Sequence, residues 1–160
     1  MSVDVGSTAP DFTLMNQDRE PVTLGAARGR PVVLLFFPGA YSDTCTRELC
    51  TFRDNMDRLN DAEAQVYGIS VDTFFALKAF QADWKLAFPL LSDFNKDVIR
   101  LYGVFNEDMI GLKGIAKRSV FVLDRNGVVQ HREVLEDARD EPDYEGVFAA
   151  LSSLAGLPGD

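Results

Sequence analysis

The chain has 160 residues, 46% of them hydrophobic, with two cysteines, one histidine and a formal net charge of −9. That length and composition fit one folded domain over residues 1–160 with a single sizeable core, and exclude a disordered chain. The acidic balance and the lack of a basic run argue against a nucleic-acid partner, and no stretch approaches the roughly 20 apolar residues that span a bilayer.

The opening Met1-Ser2-Val3-Asp4-Val5-Gly6 carries neither a basic nor an apolar leader region. The chain is therefore expected in the cytoplasm, where a cysteine pair is more often catalytic or metal-binding than structural. Asp11–Leu14 and Pro21–Leu24 flank the polar turn Asn16–Glu20 and predict an N-terminal hairpin. Pro31–Phe37 is a continuous apolar run between Gly29 and Pro38, the pattern of a strand buried on both faces, with Phe36 and Phe37 in the core. From Cys45, the residues Leu49, Phe52, Met56 and Leu59 form one helical stripe.

Gln65–Val71 reads as a second buried strand. Asp72 and Thr73 offer an N-cap for a helix over Phe74–Lys85, on which Trp84 is expected to pack. Phe88–Asp93 reads as an apolar turn, and Lys96–Leu101 as a short helix stopped near Gly103. Ser119–Asp124 and Val128–Glu133, joined at Asn126-Gly127, predict a hairpin, with His131 an ordinary sheet residue. Glu136–Asp143 reads as a solvated acidic loop, and Tyr144–Leu154 as a closing helix. Strands alternating with helices and ending in a hairpin predict an α/β fold, a central mixed sheet covered by helices. Sites in such sheets lie at the carboxyl ends of central strands, here the stretch after Phe37.

That stretch holds both cysteines, Cys45 and Cys50, five residues apart. Cys45 follows a strand and a proline and falls at a helix start, where negative charge is stabilised. Cys50 is rotated about 140° from it, onto the polar face with Asp54 and Asp57. In a regular helix their Cα atoms stand roughly 8–9 Å apart, and disulfides generally need less than about 7 Å. A Cys45–Cys50 bond therefore requires the helix to unwind. Ser42 can place a hydroxyl near the sulfur, and Pro38, without an N–H, stiffens the turn and shields the sulfur. Arg118, just ahead of a strand, is the candidate cation for the site, and Glu48, one turn from Cys45, is a candidate to order it. Two cysteines and a distant His131 do not make a closed metal site. By pattern alone, Cys45 also fits a core thiol, Cys50 a surface thiol, and Arg118 and Glu48 solvated charges.

The pattern Pro38-x-x-x-Ser42-x-x-Cys45 resembles the peroxiredoxin active-site motif. Ala9-Pro10-Asp11-Phe12, Gly68–Asp72, Phe88–Asp93, Tyr102-Gly103-Val104 and Arg118–Asp124 resemble further segments of that family. A second cysteine five residues on resembles the bacterioferritin-comigratory (PrxQ) branch. The stretch Gly39-Ala40-Tyr41-Ser42-Asp43-Thr44 replaces that branch's Asp-rich Thr-Pro-Gly segment and is closer to the one-cysteine AhpE branch. The resemblance implies a thioredoxin-like fold and a thiol peroxidase for hydrogen peroxide and organic hydroperoxides, without cofactor or metal. It implies Cys45 as peroxidatic cysteine, Cys50 as resolving cysteine, and Ser42, Arg118 and Pro38 around them. Thioredoxin or a glutaredoxin would be the reductant, and the enzyme a monomer or homodimer. A redox sensor and a one-cysteine peroxidase resolved by an external thiol share the first step. A disulfide reductase would need a Cys-x-x-Cys spacing that the chain lacks.

Overall fold

The computed structural model describes residues 3–155. In chain order its elements are β1 (Thr13–Asn16), β2 (Pro21–Thr23), β3 (Val32–Phe36), α1 (Asp43–Asp54), α2 (Met56–Asp61), β4 (Gln65–Ser70), α3 (Phe74–Trp84), β5 (Leu90–Ser92), α4 (Asp97–Leu101), β6 (Phe105–Asn106), β7 (Ile115–Ala116), β8 (Ser119–Leu123), β9 (Val129–Val134) and α5 (Tyr144–Ala155). Among the described residues, seven strands form one mixed sheet in the order β2-β1-β5-β4-β3-β8-β9. β3 pairs in parallel with β4, and antiparallel with β8.

The apolar run of β3 shows why the sheet is central. Val33, Leu35 and Phe37 enter one core with Cys45, Leu49 and Phe52 of α1, Leu77 and Phe80 of α3, and Val147, Phe148 and Leu151 of α5. Val32, Leu34 and Phe36 enter the other with Val98 and Ile99 of α4 and the N-terminal Phe12. Alternation along one strand thus feeds two layers, as the continuous hydrophobic run predicts. Each fully buried Phe or Leu there is worth about 1.5–3 kcal/mol over exposure. Gly68 on β4 permits the close fit under α1: a Cβ there would stand 2.7 Å from Leu90 Cδ2 and 3.4 Å from Phe37 Cε1.

Several boundaries differ from the sequence reading. β1 starts two residues later, so Asn16 lies in the strand; its Oδ1 accepts from the Asp18 and Glu20 amides and shapes the turn. The Cys45 stripe runs through two helices rather than one. Asn55, with φ −115°, breaks the helix, its Nδ2 donating back to the Thr51 carbonyl. Leu59 still lands in the core, but Asp57 no longer shares a helix with Cys50. The expected turn at Phe88–Asp93 contains β5, whose parallel pairing with Gly68–Ser70 outweighs the local Pro89. Thr73 caps α3, whereas Asp72 turns to the loop after β3. Trp84 is 41% exposed rather than packed. β6 and β7 form a separate two-stranded ribbon that the sequence reading lacks. The β8–β9 hairpin turns at Asn126-Gly127 as predicted, with Gly127 at φ 81°. No helix among the described residues is long and apolar enough to cross a membrane.

Candidate active site

β3 ends at Phe36, and the Phe37 amide still donates to Ile69 of β4. Pro38 then turns the chain out of the sheet. The Ala40 amide donates to Asp72 Oδ2 at 2.7 Å, and the Ser70 hydroxyl donates to the same oxygen at 2.7 Å. Tyr41 takes φ 71°, an uncommon conformation for a side chain of this size. Ser42 follows as N-cap of α1, its Oγ accepting from the Cys45 amide at 3.2 Å. The predicted hydroxyl near the sulfur is therefore first a helix cap. Its hydrogen remains free to donate toward the cavity that Ser42 lines.

Cys45 sits in the first turn of α1 and is fully buried. The antiparallel register explains its cation. Phe36 pairs with Ser119, so the residue before Ser119 lies level with the loop that leaves β3. That residue is Arg118, whose Nη1 donates to Cys45 Sγ at 3.3 Å and to Glu48 Oε1 at 2.7 Å. Nη2 donates to the Ala138 carbonyl at 3.0 Å. Arg118 is 1% exposed and Glu48 0%. Among the described residues, Arg118 Nε and Glu48 Oε2 are buried without a hydrogen-bond partner. Burial works against the guanidinium charge, but Glu48 and Cys45 together outweigh it and hold Arg118 charged. Burial pushes the Glu48 carboxyl up to about 7, with Arg118 pulling the other way. Glu48 is thus a buried partner of Arg118 and not a solvated carboxylate.

An open cavity of about 670 Å³ meets this cluster. It is lined by Pro38, Ser42 and Arg118, by Met109 and Ile110 from the β6–β7 loop, and by Asp137 and Arg139. The stretch Glu136–Asp143 is a largely exposed loop, as the sequence predicts, but it also makes contacts of its own. It lines the cavity, seals Arg118 through Ala138, and reaches α1 through the Glu141–Arg47 pair at 3.5 Å. A carbonyl contact such as that of Ala138 leaves no mark in a sequence. The contribution of Met109 and Ile110 was equally hidden, since it depends on the unforeseen ribbon.

Both cysteines are free thiols on α1. Cys50 is half-buried and packs against the α1 core, not fully on the polar face as its helical angle predicts. Burial pushes its thiol up; Arg53 opposes this shift and Asp54 adds to it. His131 lies on β9, paired with Val122 of β8, and its Nε2 is buried without a partner among the described residues.

Residues 5–132 match the AhpC/TSA family. The chain belongs to this family, that of the peroxiredoxins. It is 43% identical to a chloroplastic peroxiredoxin Q of Sedum lineare over 80% of this chain and 67% of that protein. It covers only 58% of the peroxiredoxin Q of Oryza sativa subsp. japonica. Alkyl hydroperoxide reductase E of Mycobacterium tuberculosis is 38% identical over 94% of this chain and 99% of its own length. Among solved structures, peroxidoxin BcpB of M. tuberculosis superposes with a TM-score of 0.85 at 31% identity, covering 95% of this chain and 98% of that one. Peroxiredoxin Q of Xanthomonas campestris gives 0.82 at 27% identity, covering 96% and 97%. The thioredoxin-like peroxiredoxin fold and the likeness to both branches agree with the sequence reading.

Proposed function

We propose that the protein is a thiol-dependent peroxidase for hydrogen peroxide and organic hydroperoxides, with Cys45 as the attacking thiolate and Cys50 as the resolving thiol. The observation that carries this is the Arg118 guanidinium, 3.3 Å from the Cys45 sulfur and forming part of the cavity wall. A permanent cation there favours negative charge on sulfur and on the oxygens that separate from it. The Cys45 thiolate attacks the terminal peroxide oxygen. An S–O bond forms, the O–O bond breaks, and the leaving alkoxide or hydroxide takes a proton from solvent. Cys45 is then a sulfenic acid. Ser42 donates its remaining hydrogen to a peroxide oxygen, and Pro38 keeps a competing N–H away from the sulfur.

Cys50, as thiolate, next attacks the Cys45 sulfur. An S–S bond forms and hydroxide leaves as water. α1 must unwind for this, since both thiols lie in one helix. An external dithiol, thioredoxin or a glutaredoxin, returns two electrons by exchange. We take residues 1–160 as one catalytic domain acting in the cytoplasm, as monomer or homodimer, with no cofactor.

Three proteins test the reading: wild type, Cys45→Ser and Cys50→Ser. Cys45→Ser loses all peroxide consumption. Cys50→Ser consumes one equivalent and then cycles poorly with thioredoxin. If Cys50→Ser cycles like wild type, an external thiol resolves Cys45 and the role of Cys50 is wrong. A single stoichiometric oxidation of wild type, without recycling by any dithiol, marks a sensor instead.

A further inference from the structure

The segment that carries both cysteines is tied at each of its ends to the same turn of α3. Ahead of α1, the Tyr41 hydroxyl donates to Asp83 Oδ2 at 2.7 Å, and the Tyr41 ring meets Phe80 edge-on at 5.0 Å. Near the end of α1, Arg53 Nη1 donates to the Trp84 carbonyl at 2.6 Å. Asp83 and Trp84 are the last two residues of α3. The Trp84 carbonyl is one of the groups that a helix end leaves without an intrahelical amide, and a cation suits that position.

α3 is a firm post for such ties. Leu77 and Phe80 are fully buried, and Gln81 Nε2 donates to the Phe88 carbonyl at 3.0 Å. Beyond the Asn55 break, α2 is held by other elements. Leu59 is buried, Arg58 pairs with Glu145 at 2.8 Å, and Arg58 lies 4.2 Å over the Phe148 ring. Unwinding can therefore stay within residues 41–54, and the two ties to α3 span that stretch. Tyr41 sits at φ 71°, a conformation that its tertiary contacts must maintain.

We propose that Tyr41, Asp83 and Arg53 are positioning residues that clamp α1 in its wound form and set the rate at which Cys45 sulfenic acid becomes the Cys45–Cys50 disulfide. This rests on the peroxidase reading above. None of the three hydrogen-bonds the Cys45 sulfur; Tyr41 and Asp83 act through the helix that separates the two thiols, and Arg53 also opposes the upward shift of the Cys50 thiol. When the clamp opens, Cys50 displaces hydroxide from Cys45 and the S–S bond replaces the S–O bond.

The test follows wild type, Tyr41→Phe, Arg53→Met, the double variant and Asp83→Asn by rapid quench with hydrogen peroxide, and by amide hydrogen exchange of the reduced proteins. Tyr41→Phe keeps the ring on Phe80 and leaves Cys50 untouched, so it is the deciding arm. Tyr41→Phe and Arg53→Met are each expected to speed the peroxide-independent disulfide step about three-fold, and the double about ten-fold, the scale of lost hydrogen bonds. The peroxide-dependent step stays within about two-fold, and Asp83→Asn, which keeps an acceptor for Tyr41, stays near wild type. Amides of 43–54 lose protection in step with the rate. A merely structural role would slow both steps. Unchanged disulfide rates in both single variants overturn the proposal. If peroxide leaves wild-type Cys45 unmodified, the peroxidase reading fails instead; the exchange arm then judges the clamp alone, and unchanged protection of 43–54 overturns it.

Discussion

Arg118 and Glu48 face each other across 2.7 Å, both sealed from solvent, with the Cys45 sulfur on the same guanidinium nitrogen. Removing one partner of a buried pair leaves the other as an uncompensated charge, at a cost of about 3–5 kcal/mol. Arg118→Met is therefore expected to lower stability by that order in urea unfolding. It should also slow Cys45 oxidation roughly 100-fold, the scale for losing a preorganised charged donor. Adding Glu48→Gln should recover much of the stability and none of the rate. Recovery of the rate would show that Arg118 serves only to neutralise Glu48.

Glu48 also makes a pH-dependent contribution. Its carboxyl is raised from the ordinary 4.5 to about 7, first through burial. The folded protein then holds a proton that the unfolded chain gives up between those values. The Glu48 contribution to stability is thus full below about 4.5 and is lost as pH rises through about 7. Compared with Glu48→Gln in urea unfolding, wild type should lose relative stability from pH 5 to pH 8. A constant difference over that range would contradict the assignment.

Much of this was readable in the chain, and the exceptions have physical causes. The run Val32–Phe36 announced a two-faced strand because every residue is apolar, and each is buried. Cys45 at a helix start followed from Pro38, Ser42 and the stripe through Leu49 and Phe52. The break at Asn55 did not, because Leu59 continues the stripe beyond it and only backbone geometry interrupts the helix. β5 was missed because its signal is three residues beside a proline, and its stability comes from pairing with β4. Arg118 was a candidate by position alone; the Phe36–Ser119 register that brings it to Cys45 is a property of the sheet. Ala138 was invisible, since it acts through a carbonyl that any residue carries.

Ser42 caps α1 through the Cys45 amide. Ser42→Ala is expected to cost about 1 kcal/mol in thermal or urea unfolding, and to slow oxidation of Cys45 as well. Ser42→Thr keeps the hydroxyl and should keep both properties. A stable, fast Ser42→Ala protein would remove Ser42 from both roles.

Burial raises the Cys50 thiol above its ordinary value of 9.0. Attack on the sulfenic acid needs the thiolate, so disulfide formation should accelerate steadily from pH 7 to pH 9 in single-turnover quench experiments. A rate independent of pH over that interval would mean that thiolate formation at Cys50 does not govern the step.

The most direct measurement of the central claim is the mass of the protein after one equivalent of hydrogen peroxide, with peptide mapping of α1. Wild type should lose about 2 Da and yield a Cys45–Cys50 linked peptide, while Cys50→Ser should gain about 16 Da at Cys45, the sulfenic acid. An unchanged mass at Cys45 in both proteins, or a wild-type adduct that never converts to the internal disulfide, would contradict it.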